Sequence, residues 1–144
     1  MFYSGYRASH SRNRWLPRAV KPPKPTPAEL ELLRLLWQLG PSTVKQVHEA
    51  RQAEKSDAAY ATVLRQMQIM HAKGLLIRDE TERSHVYAAA QAQNSLQTNL
   101  LGDLIQKAFA GSGKDLVMAA LRGHVSDEER AEIQRFLEET RDDE

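Results

Sequence analysis

Residues 58–70 read Ala58-Ala59-Tyr60-Ala61-Thr62-Val63-Leu64-Arg65-Gln66-Met67-Gln68-Ile69-Met70, and Lys73-Gly74 with an alternating run ending His85-Val86-Tyr87 follow at once. Tyr60, Val63, Met67 and Met70 recur on one face at helical spacing, with Leu64 and His71 at its border. Thr62, Arg65, Gln66, Gln68 and Ile69 fall on or near the other side. An ordinary surface helix is rich in Glu and Lys, whereas residues 58–72 hold no acid and one base, Arg65. Short, polar, nearly uncharged side chains suit the floor of a DNA major groove, where base edges offer donors, acceptors and methyl groups at close range. A surface lying against phosphates must also be free of acid. From Leu75 the period changes to two: Leu75 and Ile77 alternate with Leu76 and Arg78, residues 79–84 turn, and His85-Val86-Tyr87 return as a second strand. A helix, a Gly stop and a two-stranded hairpin in that order predict a winged helix-turn-helix. Arg83 and His85 stand at the wing tip, with Asp79, Glu80 and Glu82 close enough to oppose phosphate.

Upstream, Thr26-Pro27-Ala28-Glu29 is a capping box with Pro at the first helical position. Leu30, Leu33, Leu36 and Trp37 follow at helical spacing, Leu32, Leu35 and Leu39 widen the stripe, and Gly40-Pro41 ends it. Ser42-Thr43 opens a second helix, with Gln46 placed to complete its cap and Val44, Val47 and Ala50 on its inner face. Arg51 to Lys55 reads as a polar turn, and Asp57 as the cap of the third helix.

Downstream, Asn94-Ser95 is expected to cap a fourth helix bearing Leu96, Leu100, Leu101, Leu104, Ile105 and Phe109. Gly111-Ser112-Gly113 breaks it, and Asp115 to Arg122 forms a short helix with Leu116, Val117, Met118 and Leu121. Ser126-Asp127-Glu128-Glu129 is another capping box, opening a last helix with Ile133, Phe136 and Leu137. Three amphipathic helices after a complete winged helix have little left in one chain to pack against. Apolar area is worth roughly 25 cal/mol per Å² removed from water, so these faces are expected to be buried against a second copy. A self-contained helical cap is the alternative. The dimerisation set is thus Leu100, Leu101, Leu104, Ile105, Phe109, Leu116, Val117, Leu121, Ile133, Phe136 and Leu137.

The fold class that emerges is mostly α with a small β-wing. A winged-helix domain spans 26–92, a helical dimerisation region 93–140 and an acidic tail 141–144. Residues 1–25 are Arg/Ser-rich and then Pro-rich, a composition that predicts a disordered basic arm. That arm either grips DNA or is an unstructured leader. Net charge is +1, but it is unevenly spread: residues 1–25 hold six bases and no acid, and residues 95–144 hold six bases against eleven acids. The asymmetry favours a nucleic-acid end and an opposite, non-contacting end.

Absent chemistry narrows the function further. With no cysteine, disulfides, thiolate zinc sites and a catalytic Cys are excluded. No apolar run reaches the ~20 residues of a membrane span, so the expected partners exclude a membrane and the expected compartment is the cytoplasm. The five histidines show no metal-ligand spacing, so no metal and no cofactor are expected. Gly111-Ser112-Gly113-Lys114 lacks the strand and spacing of a phosphate loop, and the acids at 127–129 and 142–144 suit capping and solvation. No nucleophile–base pair can be read, and an enzyme is not expected.

Thr26 to Pro41, Ala59 to Leu64, Lys73-Gly74-Leu75, Val86-Tyr87 and the segment from Leu116-Val117 to Ser126-Asp127-Glu128-Glu129 together resemble the BlaI/MecI penicillinase-repressor family and the related CopY repressors. The resemblance implies a homodimer that holds two winged helices over a dyad-symmetric operator in double-stranded DNA. It also implies that Ala59, Tyr60, Ala61, Thr62 and Arg65, with Gln68 further along, lie against the major groove. Within that set Ala59, Ala61, Thr62, Arg65 and Gln68 are the expected base readers. Ser42, Thr43, Lys45, Tyr60, Arg83 and His85 are expected on the DNA backbone. Where the family often carries Lys or Arg near the start of this helix, the chain has Ala61 and Leu64, which implies a different operator. The family also implies an inactivating protease. Met118-Ala119-Ala120-Leu121 lacks the Asn-Phe type of junction expected for that route. Copper sensing of the CopY kind is excluded by the missing cysteines. Two other functions compete with a repressor: a winged helix serving as a protein-interaction module, and a regulator that answers a small effector.

Overall fold

Thr26 caps the first helix as the sequence requires. Its hydroxyl accepts from Glu29 N at 3.2 Å and its own N–H donates to Glu29 Oε1 at 2.9 Å, the reciprocal cap of α1 (Pro27–Leu39). The computed structural model describes residues 23–55 and 58–142. The expected arm therefore lies outside the described residues except for 23–25, which are irregular. Gly40 ends α1 at φ +79°, ψ −170°, a backbone open to Gly alone at little cost. The chain continues as β1 (Ser42–Thr43), α2 (Val44–Lys55), α3 (Tyr60–Lys73), β2 (Leu76–Asp79) and β3 (Val86–Ala89). Three further helices follow: α4 (Gln93–Ala108), α5 (Gly113–Gly123) and α6 (Asp127–Asp142).

The sheet has three antiparallel strands in the order β1-β3-β2, not the expected two. Ser42 pairs with Tyr87 and Thr43 with Val86 on one side of β3, while Leu76 pairs with Ala89 and Asp79 with Val86 on the other. Leu32, Leu33 and Leu36 of α1, Val47 of α2, and Val63, Met67 and Met70 of α3 close over Leu76 and Tyr87. Trp37 donates its indole N–H to the Gln91 carbonyl at 3.0 Å, fastening α1 to the segment before α4.

Several expectations are corrected here. Arg51 to Lys55 is the last part of α2, because Arg, Gln, Ala, Glu and Lys all favour helix and no turn residue interrupts them. Leu39 and Tyr60 leave the core, each 46% exposed at a helix end. The N-cap of α3 is Ala59, without a side-chain cap; the Asp57 expectation lies outside the described residues. Asn94 and Ser95 sit inside α4, not before it. The Gly74 stop and the α6 capping box agree with expectation, while α5 starts at Gly113, two residues before the expected Asp115. Gly74 caps α3 in the left-handed region (φ +87°), with Leu75 N donating back to Met70 O at 2.9 Å. Ser112 caps α5, and Ser126 with Glu129 forms the capping box of α6.

Glu29 does more than cap. It is buried, and Lys73 Nζ lies 2.8 Å from its Oε2, so the start of α1 is pinned to the end of α3. Burial alone would push this carboxyl up, but hydrogen bonds from Lys73 and Thr26 outweigh it and hold the group below its ordinary 4.5. Its contribution to stability is therefore complete above 4.5 and is lost as the pH falls through the lower folded value. Glu29→Gln keeps an oxygen for the Thr26 N–H but sets an amide NH2 where Lys73 donates, so it removes the charge and the Lys73 hydrogen bond together. We expect it to cost about 1–3 kcal/mol near neutrality. In thermal melts followed by circular dichroism, the gap to wild type should close as the pH drops below 4.5. A gap independent of pH would deny the ion pair that role.

The chain divides into two compact units, with the boundary between Gln97 and Thr98, inside α4. The first unit holds the whole buried core. In the second, no described side chain from Thr98 to Arg141 is buried. Leu100, Ile105, Phe109, Leu116, Leu121 and Ile133 are half-buried there, while Leu101, Leu104, Val117, Met118, Phe136 and Leu137 are exposed.

Candidate nucleic-acid interface

α3 packs on α2 and β2 through Val63, Met67 and Met70, all fully buried. At 100° per residue the opposite face carries Ala61, Arg65, Gln68, Ile69 and Ala72, all exposed, with exposed Thr62 on its flank. Ala59 is exposed at the helix start. The face is free of acid, as the sequence requires. Its start is held in place from α2: the His48 imidazole bonds the Ala58 carbonyl at 2.9 Å, and its ring meets the Tyr60 ring edge-on at 5.6 Å. A carbonyl can only accept, so Nε2 carries the proton.

Beside this face runs a groove of about 280 Å³ between α2, α3 and the wing. Thr43 and Lys45 bound it from the start of α2, Tyr60, Leu64 and Gln68 from α3, and Arg83 and His85 from the wing. What brings the first and last of these together is β1: its pairing of Thr43 with Val86 seats the α2 N-terminus against the base of the wing. Thr43 also caps α2, its hydroxyl accepting from Gln46 N at 3.2 Å while its N–H donates to Gln46 Oε1 at 2.9 Å. Among the described residues, none pairs with the side chains of Lys45, Arg65 or Arg83. Among the described residues, these three cations are thus left to meet a polyanion.

Ser42 departs from the expected backbone set. It is 4% exposed and its hydroxyl donates to the Gly40 carbonyl at 2.8 Å, so it shapes the turn into α2 and presents nothing to a phosphate. Tyr60, expected both in the core and on the DNA backbone, is not in the core: its ring lines the groove.

The wing is less acidic in effect than its composition implies. Asp79 is turned inward, its Oδ1 accepting from Thr81 N at 2.9 Å and from the Thr81 hydroxyl. Glu80 is paired with Arg78, Nη2 to Oε2 at 2.6 Å, and that hydrogen bond holds its carboxyl below the ordinary range. Arg78 in turn lies over the Tyr87 ring at 5.8 Å. Of the three wing acids only Glu82 remains to oppose a phosphate near Arg83.

Sequence reasoning placed Ile69 on the outer side of α3 and Met118 on α5 but gave neither a site role, and both are exposed. For Ile69 the signal was a large apolar side chain off the buried stripe of α3. Among the described residues, no cluster of three or more His, Asp or Glu could hold a metal ion, and no helix is long and apolar enough to cross a membrane.

The same arrangement has relatives. The family profile described as penicillinase repressor matches residues 25–139, from the cap of α1 into α6. Two proteins named transcriptional regulator BlaI, from Mycobacterium tuberculosis strains CDC 1551 / Oshkosh and ATCC 25618 / H37Rv, are each 30% identical over 105 residues. The match covers 72% of this chain and 75% of either relative. A winged helix with a helical C-terminal region, matched by that profile over most of its length, belongs to the penicillinase repressor family of transcriptional regulators.

Proposed function

We propose that the chain is a sequence-specific repressor that binds a dyad-symmetric DNA operator as a homodimer. The observation that carries this reading is the acid-free outer face of α3 with Arg65 unpaired among the described residues, flanked by the groove that gathers Lys45, Arg83 and His85. Arg65, Thr62 and Gln68 supply the donors and acceptors that base edges match, and Ala59 and Ala61 let the backbone approach closely. Thr43, Lys45, Tyr60, Arg83 and His85 take the phosphates and sugars, which set register without reading sequence. Repression follows from occupying a promoter.

The helical unit supplies the second half of the proposal. Its six large exposed apolar side chains, on three successive helices, are what a second copy would cover. A dimer places two α3 helices on one face of the duplex, with half-sites about one helical turn, or a multiple, apart.

Salt titration tests the backbone assignment. Each phosphate contact contributes about −0.9 to the slope of log K against log salt. Arg83→Ala is expected to flatten that slope by about 0.9 per protomer, or roughly 1.8 per dimer, and to weaken all duplexes alike. An unchanged slope would remove the wing tip from the phosphate contacts.

A further inference from the structure

Ile69 is 40% exposed on α3, and no role given so far uses it. It lies one turn beyond Arg65 and next to Gln68, on the face that carries no acid. The core has no need of it, since Val63, Met67 and Met70 fill the buried side. Nor does the helix: a β-branched side chain has lower helix propensity than the straight-chain residues that usually face solvent, and its χ1 is stiff. A rigid apolar group on a reading face has value only where the ligand is apolar too. The major groove offers one such group, the C5 methyl of thymine.

The spacing along α3 limits which thymine. At about 1.5 Å per residue, Ile69 lies about 6 Å beyond Arg65 along the helix axis. That is roughly two base-pair steps of about 3.4 Å. We infer that Ile69 is a specificity-determining residue that packs on the C5 methyl of a thymine about two base pairs from the pair that Arg65 reads. The inference rests on the DNA-binding reading of α3 proposed above.

Uracil differs from thymine by that methyl alone, so the test needs no change in the protein to begin with. A duplex selected by the full-length wild-type protein from a randomised library is resynthesised with each thymine in turn replaced by uracil. One position per half-site should weaken wild-type binding about fourfold, what burial of one methyl group is worth, and about sixteenfold when both half-sites are changed. Ile69→Ala should bind the thymine and uracil duplexes equally, while Ile69→Val should keep most of the discrimination. Equal uracil penalties for wild type and Ile69→Ala, or no uracil-sensitive position, would overturn the inference and leave a sequence-specific α3 intact. Failure of the wild type to select any duplex would overturn the DNA-binding reading itself, and this inference with it.

Discussion

Leu104→Asp and Phe136→Asp are each expected to yield folded monomers that bind the operator about 100-fold or more weakly than wild type. Leu104 is 49% exposed and Phe136 61% exposed in the single chain, and nothing in the buried core depends on either. Fully burying such a side chain is worth about 1.5–3 kcal/mol, and with each already partly covered in the single chain about half of that remains to be gained. A symmetric interface contains each position twice, so one substitution removes about 1.5–3 kcal/mol and also places two carboxylates where water is excluded, at a further cost. Together the two terms move the dimer constant by a hundredfold or more, since 1.36 kcal/mol is tenfold. Sedimentation equilibrium should therefore show a monomer at concentrations where wild type is a dimer, with an unchanged far-ultraviolet spectrum. Operator binding should fall with it, because a lone winged helix keeps only one half-site's contacts. A dimer that survives both substitutions would place the interface elsewhere.

Arg65→Ala is expected to erase a base preference as well as weaken binding. A guanidinium bidentate to guanine is worth about 1–3 kcal/mol of discrimination per half-site, so the dimer should lose about 2–6 kcal/mol on its best operator. The loss should be much smaller on duplexes already changed at that base pair. Competition titrations with one base pair varied at a time would show the preference flattened there and kept elsewhere. A uniform loss on every sequence would make Arg65 a phosphate contact. Arg65→Glu separates the reading from a protein-interaction module: it should abolish operator binding, since it sets a carboxylate against the duplex.

Much of the fold was legible because its signals are local. The Thr26–Glu29 box, the Gly40 and Gly74 stops and the Ser126–Glu129 box each lie within a few residues of the element they bound, and each is made as expected. What escaped reading depends on partners far along the chain. β1 is two residues long, too short for any period, and exists only because β3 pairs with it more than forty residues later. The Glu29–Lys73 ion pair likewise joins residues 44 apart, and only the capping half of Glu29's role shows in sequence.

The site divides in the same way. The outer face of α3 could be read from composition, since an acid-free helix with one Arg is uncommon on a surface. The groove could not, because it needs β1 to bring the α2 N-terminus to the wing. The wing's acids were misjudged for a related reason: Asp79 and Glu80 look like free surface charges until their contacts with Thr81 and Arg78 are seen. Ser42 erred the other way, a turn hydroxyl taken for a surface donor until its burial against Gly40 was visible.

Selection from a randomised duplex library by the full-length protein tests the central reading most directly, because it presumes no operator. A dimeric repressor reading bases through α3 should enrich one sequence made of two inverted half-sites, centred about 10 base pairs or a multiple apart. No enrichment over the input pool, with equal weak binding to every duplex, would contradict it.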